Sequence, residues 1–328
     1  ELPFMPVLGF VDKDGSFVGN LEQCNGNGMC LKRAPAMCPT YIATGEEIMS
    51  TRGRANTIRA VLEGRIGADG DPLLSEDLEA ALGPCLSCKA CKTECPSNVD
   101  LAQLKAELLH ERHRRAGVPL VDRMIASADL LGRIGCATAP VSNWMLRSRT
   151  VRSLMEKMFG IAAQRKLPAY ASTRFDRWFA RRCGTGVSPV RGGQDARPPG
   201  LQGGQDARPP SGAPRGRVVL WDDTWIRYHE PHIGMAAVKV LEAAGFEVVL
   251  ARGRMCCGRP AFSRGLLDAA VKMGRHNVAL LEREYAGLPV IFLEPSCLAM
   301  FLDEYRQFKI PGASQLAERC FSFEGFLD

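Results

Sequence analysis

No run of about eighteen apolar residues occurs in the 328-residue chain, so no transmembrane helix is expected. No signal-peptide pattern opens it, and it begins at Glu1 rather than at methionine. A missing upstream segment is therefore expected. Strong charge of one sign is also lacking: a net charge of +6 is too mild for a dedicated nucleic-acid binder. The charge is uneven, however. Residues 147–182 hold ten Lys or Arg against Glu156 and Asp176. That stretch reads first as a solvated helical face, and second as a docking surface for an acidic partner or membrane headgroups. A dinucleotide fingerprint is absent too. "GRIGADG" at 64–70 has no strand ahead of it, which such a glycine loop needs.

What the chain has in plenty is cysteine. Thirteen are present, and ten fall into three groups: Cys24, Cys30 and Cys38; Cys85, Cys88, Cys91 and Cys95; Cys256, Cys257 and Cys297. Cys136, Cys183 and Cys320 stand alone and are expected to be buried apolar residues. Disulfide scaffolds are small, secreted and loop-rich. Crowded thiols in a long chain with ordinary helical patterning point instead to metal ligands in a reducing, cytoplasmic setting.

The period of the hydrophobic pattern changes along the chain. "RANTIRAVLEGRI" (54–66) and "VDLAQLKAELLHERHRR" (99–115) have helical spacing. "SEDLEAALG" begins with Ser75 as a cap and acids in the first turn. Residues 1–23 read as an arm with strand-like pieces. Between 184 and 216, fifteen of 33 residues are Gly or Pro, and "GGQDARPP" occurs twice. Such a segment has little to bury and is expected to be a flexible insert. Beyond it, "RVVLW" (217–221), "FEVVLA" (246–251) and "PVIFLEP" (289–295) alternate with helical stretches at 233–245 and 263–284. That alternation predicts a parallel sheet with its sites past the strand ends.

Cys85-x2-Cys88-x2-Cys91-x3-Cys95-Pro96 has the spacing of a bacterial ferredoxin run. Two-residue gaps let one tight loop offer three sulfurs to one cube. The fourth cysteine, followed by proline, serves a second cluster. Zinc needs only four tetrahedral ligands, usually as two separated pairs. "CNGNGMCLKRAPAMCP" (24–39) supplies the reciprocal run, with Cys38-Pro39 matching Cys95-Pro96. One cluster is expected on Cys85, Cys88, Cys91 and Cys38, and the other on Cys24, Cys30 and Cys95. When the runs are aligned, the middle position falls on Asn27. Three outcomes stay open there: Asn27 or water completing a four-iron cluster, a three-iron cluster, or an empty site. A third metal or redox site is expected where Cys256, Cys257 and Cys297 follow predicted strands. Arg52 and Arg54 are candidates for placing positive charge beside a cluster. His110 and His113 are expected on a solvated basic face.

These runs, with "STRGRANTIR", "DTWIRYHEP", "CCGRPAFSRGLLDAA" and "LEPSCL", resemble the iron–sulfur subunits of glycolate oxidase and anaerobic glycerol-3-phosphate dehydrogenase. They are similar also to the C-terminal half of bacterial FAD-linked 2-hydroxyacid dehydrogenases of the D-lactate or D-2-hydroxyglutarate type. The resemblance implies 4Fe-4S clusters in this chain and FAD only on a partner domain or subunit. It implies electron transfer from that dehydrogenase to a downstream acceptor, with at most peripheral membrane contact and no nucleic acid. The implied fold is an α+β multidomain chain. An α-helical ferredoxin-like domain spans 1–183, the insert 184–216, and an α/β cysteine-rich (CCG) domain 217–328. The CCG segment also resembles heterodisulfide reductase domains, but Thr224 and Met300 stand where two of their cysteines would be. A partial cluster, zinc or an empty site is then open, as are a thiol or heterodisulfide reductase role and a docking role.

Overall fold

Val218, Val219, Leu220 and Trp221 form an apolar run buried on both faces, which suits the middle of a parallel sheet. In the computed structural model, which describes residues 2–12, 15–32, 37–67, 70–184 and 215–328, they lie in strand β1, Gly216–Trp221. β2 is Phe246–Leu250, β3 Val290–Phe292 and β4 Cys320–Ser322. The order is β2-β1-β3-β4 and every pairing is parallel. The first three strands were expected; the third is shorter than its apolar run. β4 was not anticipated, because three residues offer too little periodicity.

The chain divides into two compact units. The first comprises residues 1–127, 258–275 and 303–311, and the second 128–257, 276–302 and 312–328. Most of the expected insert, residues 185–214, lies outside the described residues, as does the side chain of Cys183.

The first unit is helical. Residues 2–12 contain no strand, against the expectation of strand-like pieces. Phe17 and Leu21, one helical turn apart, instead bury one side of the helix Phe17–Glu22, capped by Ser16. Thr51–Leu62 is capped by Ser50, Glu76–Leu82 by Ser75 and Leu101–Ala116 by Asp100. Leu101, Leu104 and Leu108 repeat at helical spacing and are fully buried. Polar residues around that helix are also covered. Lys105, Glu107, His110 and Glu111 are buried, with His110 Nδ1 3.1 Å from the Gly265 carbonyl. His113 Nε2 lies 3.3 Å from Asp122. The solvated basic face expected for His110 and His113 is thus corrected: each ring is enclosed and partnered.

In the second unit, Pro231–Ala243 and Phe175–Gly184 cover one face of the sheet. Phe175, Val218, Leu220, Val238, Leu241 and Ile291 form its core. On the other face Trp221 meets Phe301 edge-on, with ring centroids 4.8 Å apart. Cys136 and Cys320 are buried, as small apolar residues are.

Candidate metal centre

Two cysteine loops in the first unit share one backbone pattern. Between Cys85 and Cys91, Ser87 and Lys89 have φ of 51° and 64°. Between Cys24 and Cys30, Gly26 and Gly28 have φ of 76° and 75°. Left-handed residues thus stand two and four positions after the first cysteine in each loop. Such residues turn successive side chains toward one centre. Glycine meets the requirement without strain in the 24–30 loop, while Ser87 and Lys89 meet it against their preference.

Each loop lines a hollow. The hollow at the 85–91 loop is lined by Cys38, Cys85, Cys88 and Cys91 together with Arg54. The other is lined by Cys24, Asn27, Cys30 and Cys95 together with Arg52. The two cysteines that precede proline are thus exchanged. Cys38 lies with the 85–91 loop and Cys95 with the 24–30 loop. Pro39 opens the helix Pro39–Thr44, with Cys38 as its cap residue.

Both arginines touch sulfur. Arg54 is 1% exposed; its Nη1 donates to Cys38 Sγ at 3.4 Å and its Nε to the Ala81 carbonyl at 2.7 Å. The backbone N–H of Arg52 donates to Cys30 Sγ at 3.3 Å. Both residues project from the helix Thr51–Leu62. Burial pushes the Cys91 thiol up to about 12, and the Asp100 carboxylate adds to the effect. An iron bound there must displace a firmly held proton.

A charge cluster that the sequence did not reveal supports the 85–91 loop. Lys89 Nζ pairs with Asp303 and lies 2.6 Å from Glu304 and 3.9 Å from Asp100. Arg259 bridges Glu304 at 2.9 Å and donates to the Ser87 carbonyl. Burial alone would lower the pKa of Lys89; Glu304, Asp100 and Asp303 outweigh it and raise it. Asp303 is held down to about 2, because the two lysines outweigh its burial. The only local signal is Lys89 itself, a base inside a cysteine gap.

In the second unit the third cysteine group follows the sheet. Residues past β1, β2 and β3 include Asp223, Cys256-Cys257 and Cys297, and the order of strands reverses at β1. Cys257 Sγ and Cys297 Sγ are 3.0 Å apart, and both residues are buried. Asn277 clamps the loop, accepting from Met255 N–H at 2.9 Å and donating to the Cys256 carbonyl at 3.0 Å. Burial pushes Asp223 up to about 6. Thr224 opens a short helix and Met300 is fully buried. Among the described residues, no three His, Cys, Asp or Glu side chains are grouped as ligands of a single metal ion. His229 rests between Tyr170 and Trp225.

Residues 20–99 match the 4Fe-4S dicluster domain. Residues 222–302 match the cysteine-rich domain named for its CCG motif. The chain therefore carries a helical N-terminal 4Fe-4S domain followed by a CCG domain with a four-stranded parallel sheet. It is similar to D-2-hydroxyglutarate dehydrogenase of Escherichia coli (strain K12), 23% identical over 87% of this chain and 30% of that protein. It is similar to the probable glycolate oxidase iron-sulfur subunit of Bacillus subtilis (strain 168), 26% identical over 88% of this chain and 59% of the relative. One of the subunits of the anaerobic glycerol-3-phosphate dehydrogenase of Escherichia coli (strain K12) is 27% identical over 56% of this chain and 40% of its own length. The chain spans about 30% of the length of the D-2-hydroxyglutarate dehydrogenases it matches. No solved structure matches. The matches support an iron–sulfur electron-transfer module.

Proposed function

We propose that the chain relays electrons from a FAD-linked 2-hydroxyacid dehydrogenase, of D-2-hydroxyglutarate, D-lactate or glycolate type, to a downstream acceptor. In this reading Cys85, Cys88, Cys91 and Cys38 hold one 4Fe-4S cluster. Cys24, Cys30 and Cys95 hold a second, with Asn27 at its fourth corner. The flavin belongs to the dehydrogenase domain or subunit. The first 183 residues supply the cluster-binding segment, and 217–328 the CCG segment. The module works on the cytoplasmic side, at most peripheral to the membrane.

One observation carries the reading: each hollow takes three residues from one cysteine loop and the Cys-Pro cysteine of the other. That exchange is what two clusters with reciprocal fourth ligands require. A bound cluster supplies one-electron transfer. The chain's own contribution is to set the charge around it. Arg54 on Cys38 and the Arg52 N–H on Cys30 donate toward sulfur, which favours the more negative, reduced state.

Anaerobic reconstitution with iron and sulfide quantification, followed by paramagnetic resonance, tests this. Two clusters correspond to about eight irons per chain. Cys38→Ser should abolish the same signal as Cys85→Ser, and Cys95→Ser the same signal as Cys24→Ser. Absence of iron after reconstitution would sink the reading.

The 3.0 Å Cys257–Cys297 contact favours a second role in the CCG domain. Loss of two electrons and two protons would join these sulfurs, with the electrons leaving singly to the clusters. Differential alkylation read by mass spectrometry decides the matter. A disulfide in the oxidised chain supports thiol chemistry; thiols that stay free and iron-free leave the domain a docking part.

A further inference from the structure

The hollow at the 24–30 loop offers one thiol fewer than its counterpart, and its geometry indicates how that corner is filled. Asn27 occupies the position of Cys88 in the repeated backbone, between Gly26 and Gly28 as Cys88 stands between Ser87 and Lys89. One of the two lone pairs of its side-chain oxygen is taken: Asn27 Oδ1 accepts the Met29 N–H at 3.0 Å, which ties the side chain to its own loop ahead of the turn Met29–Leu31. Its own N–H donates to Asn25 Oδ1 at 3.2 Å. The remaining polar group of the Asn27 side chain is Nδ2, an amide donor with no lone pair for iron. Arg52, also in the lining, is a donor only and is tied to the Gly26 carbonyl at 3.3 Å and to Glu47 at 2.7 Å. Asn25, Thr51 and Ser97 complete the polar lining; Asn25 Oδ1 is the acceptor of the Asn27 N–H, and none of the three supplies a thiolate.

We infer that the second cluster has one iron with no ligand from the protein, at the Asn27 corner, and that Asn27 shapes the loop without binding metal. This deepens the proposed relay and rests on Cys24, Cys30 and Cys95 as the other three ligands. The chemical consequence is a corner open to exchange. With a [4Fe–4S]2+ cluster held by Cys24, Cys30 and Cys95, a one-electron oxidant such as ferricyanide would take one electron and become ferrocyanide, and the iron without a thiolate would be released from its three sulfides as Fe2+, leaving [3Fe–4S]+ on the three thiolates. Cys38, Cys85, Cys88 and Cys91 would give the other cluster four thiolates, so that it would keep its irons. A small anionic ligand added from solution, a thiolate for example, is the class of molecule the open corner accepts.

The full chain, reconstituted anaerobically, provides the test. Ferricyanide should release about one ferrous ion per chain and produce the resonance signal of an oxidised three-iron cluster. Asn27→Cys should suppress both by supplying the missing thiolate. Asn27→Ala should leave both as in the unmodified chain, because the amide binds no iron. Cys88→Asn should create a second three-iron signal from the other cluster. Circular dichroism confirms that each variant keeps its helices. Full retention of iron by the unmodified chain, matching Asn27→Cys, would overturn the inference while leaving the three thiolate ligands standing. Loss of the releasable iron in Asn27→Ala would instead make Asn27 a ligand and overturn it as well. If Cys24→Ser and Cys95→Ser keep all the iron of the unmodified chain, the ligand assignment beneath the inference falls.

Discussion

Arg54 is the residue whose chemistry is easiest to isolate. Its guanidinium is buried, donates to Cys38 Sγ, and has one nitrogen, Nη2, without a partner. Arg54 lines the hollow of Cys38, Cys85, Cys88 and Cys91. Arg54→Gln should lower the potential of the cluster at Cys38 on the order of 40 mV, the one-electron equivalent of about 1 kcal/mol. Iron content should stay unchanged. Potentiometric titration followed by paramagnetic resonance measures the shift; an unmoved potential would assign Arg54 to packing alone. Glu107 illustrates the opposite balance. Burial pushes its pKa up to about 7 although it accepts the Leu8 and Val7 N–H groups. The folded chain therefore holds this proton more tightly than the unfolded chain, so stability falls as pH rises from about 4.5 to 7. Glu107→Gln should match the parent near pH 5 and exceed it by about 3 kcal/mol above pH 7. Urea denaturation across that window reads the difference.

At the scale of elements, the helix Thr51–Leu62 organises both hollows, because the Arg52 backbone N–H and the Arg54 guanidinium donate to different sulfurs. Gly53 between them explains how it sits so close to the preceding turn. A methyl group there would stand 2.1 Å from the Glu47 carbonyl oxygen. Gly53→Ala should cost about 2–3 kcal/mol by overpacking and loosen iron in both hollows. Chemical denaturation together with retained iron per chain checks this. Its helical pattern was legible over 54–66, since periodicity is local, but its start at Thr51 behind the Ser50 cap was not. The need for glycine was not, because the Glu47 carbonyl reaches Gly53 only once the turn has folded back. The cysteine loops show the same division. Asn27 could be aligned with Cys88 by counting, but the bond from the Met29 N–H to its oxygen exists only once the loop has turned.

At the scale of the whole molecule, the ion pairs that brace the 85–91 loop join residues far apart in the chain. Lys89 reaches Asp303, and Arg259 reaches the Ser87 carbonyl. Lys89→Met removes a buried charge from among three carboxylates. Lys92 still lies beside Asp303 and Asp100, and Arg259 beside Glu304. The expected loss is about 3 kcal/mol, at the low end for a broken buried pair. Equal stability of parent and variant in urea would refute a bracing role. Arg254 repeats the device in the second unit, buried against Asp222 and Asp129.

By itself the amino-acid sequence determined the cysteine runs, the crossing of their proline-linked members, the main helical blocks, the first three strands of the sheet, and the deficit at Asn27. These depend on spacing and period, which local covalent geometry translates directly into structure. Only the tertiary structure decided which charges meet the sulfurs, why His110 and His113 on the helix Leu101–Ala116 are enclosed, and where the Asn27 oxygen is bonded. Those follow from contacts between segments remote in the chain, where burial and pairing outweigh any local preference.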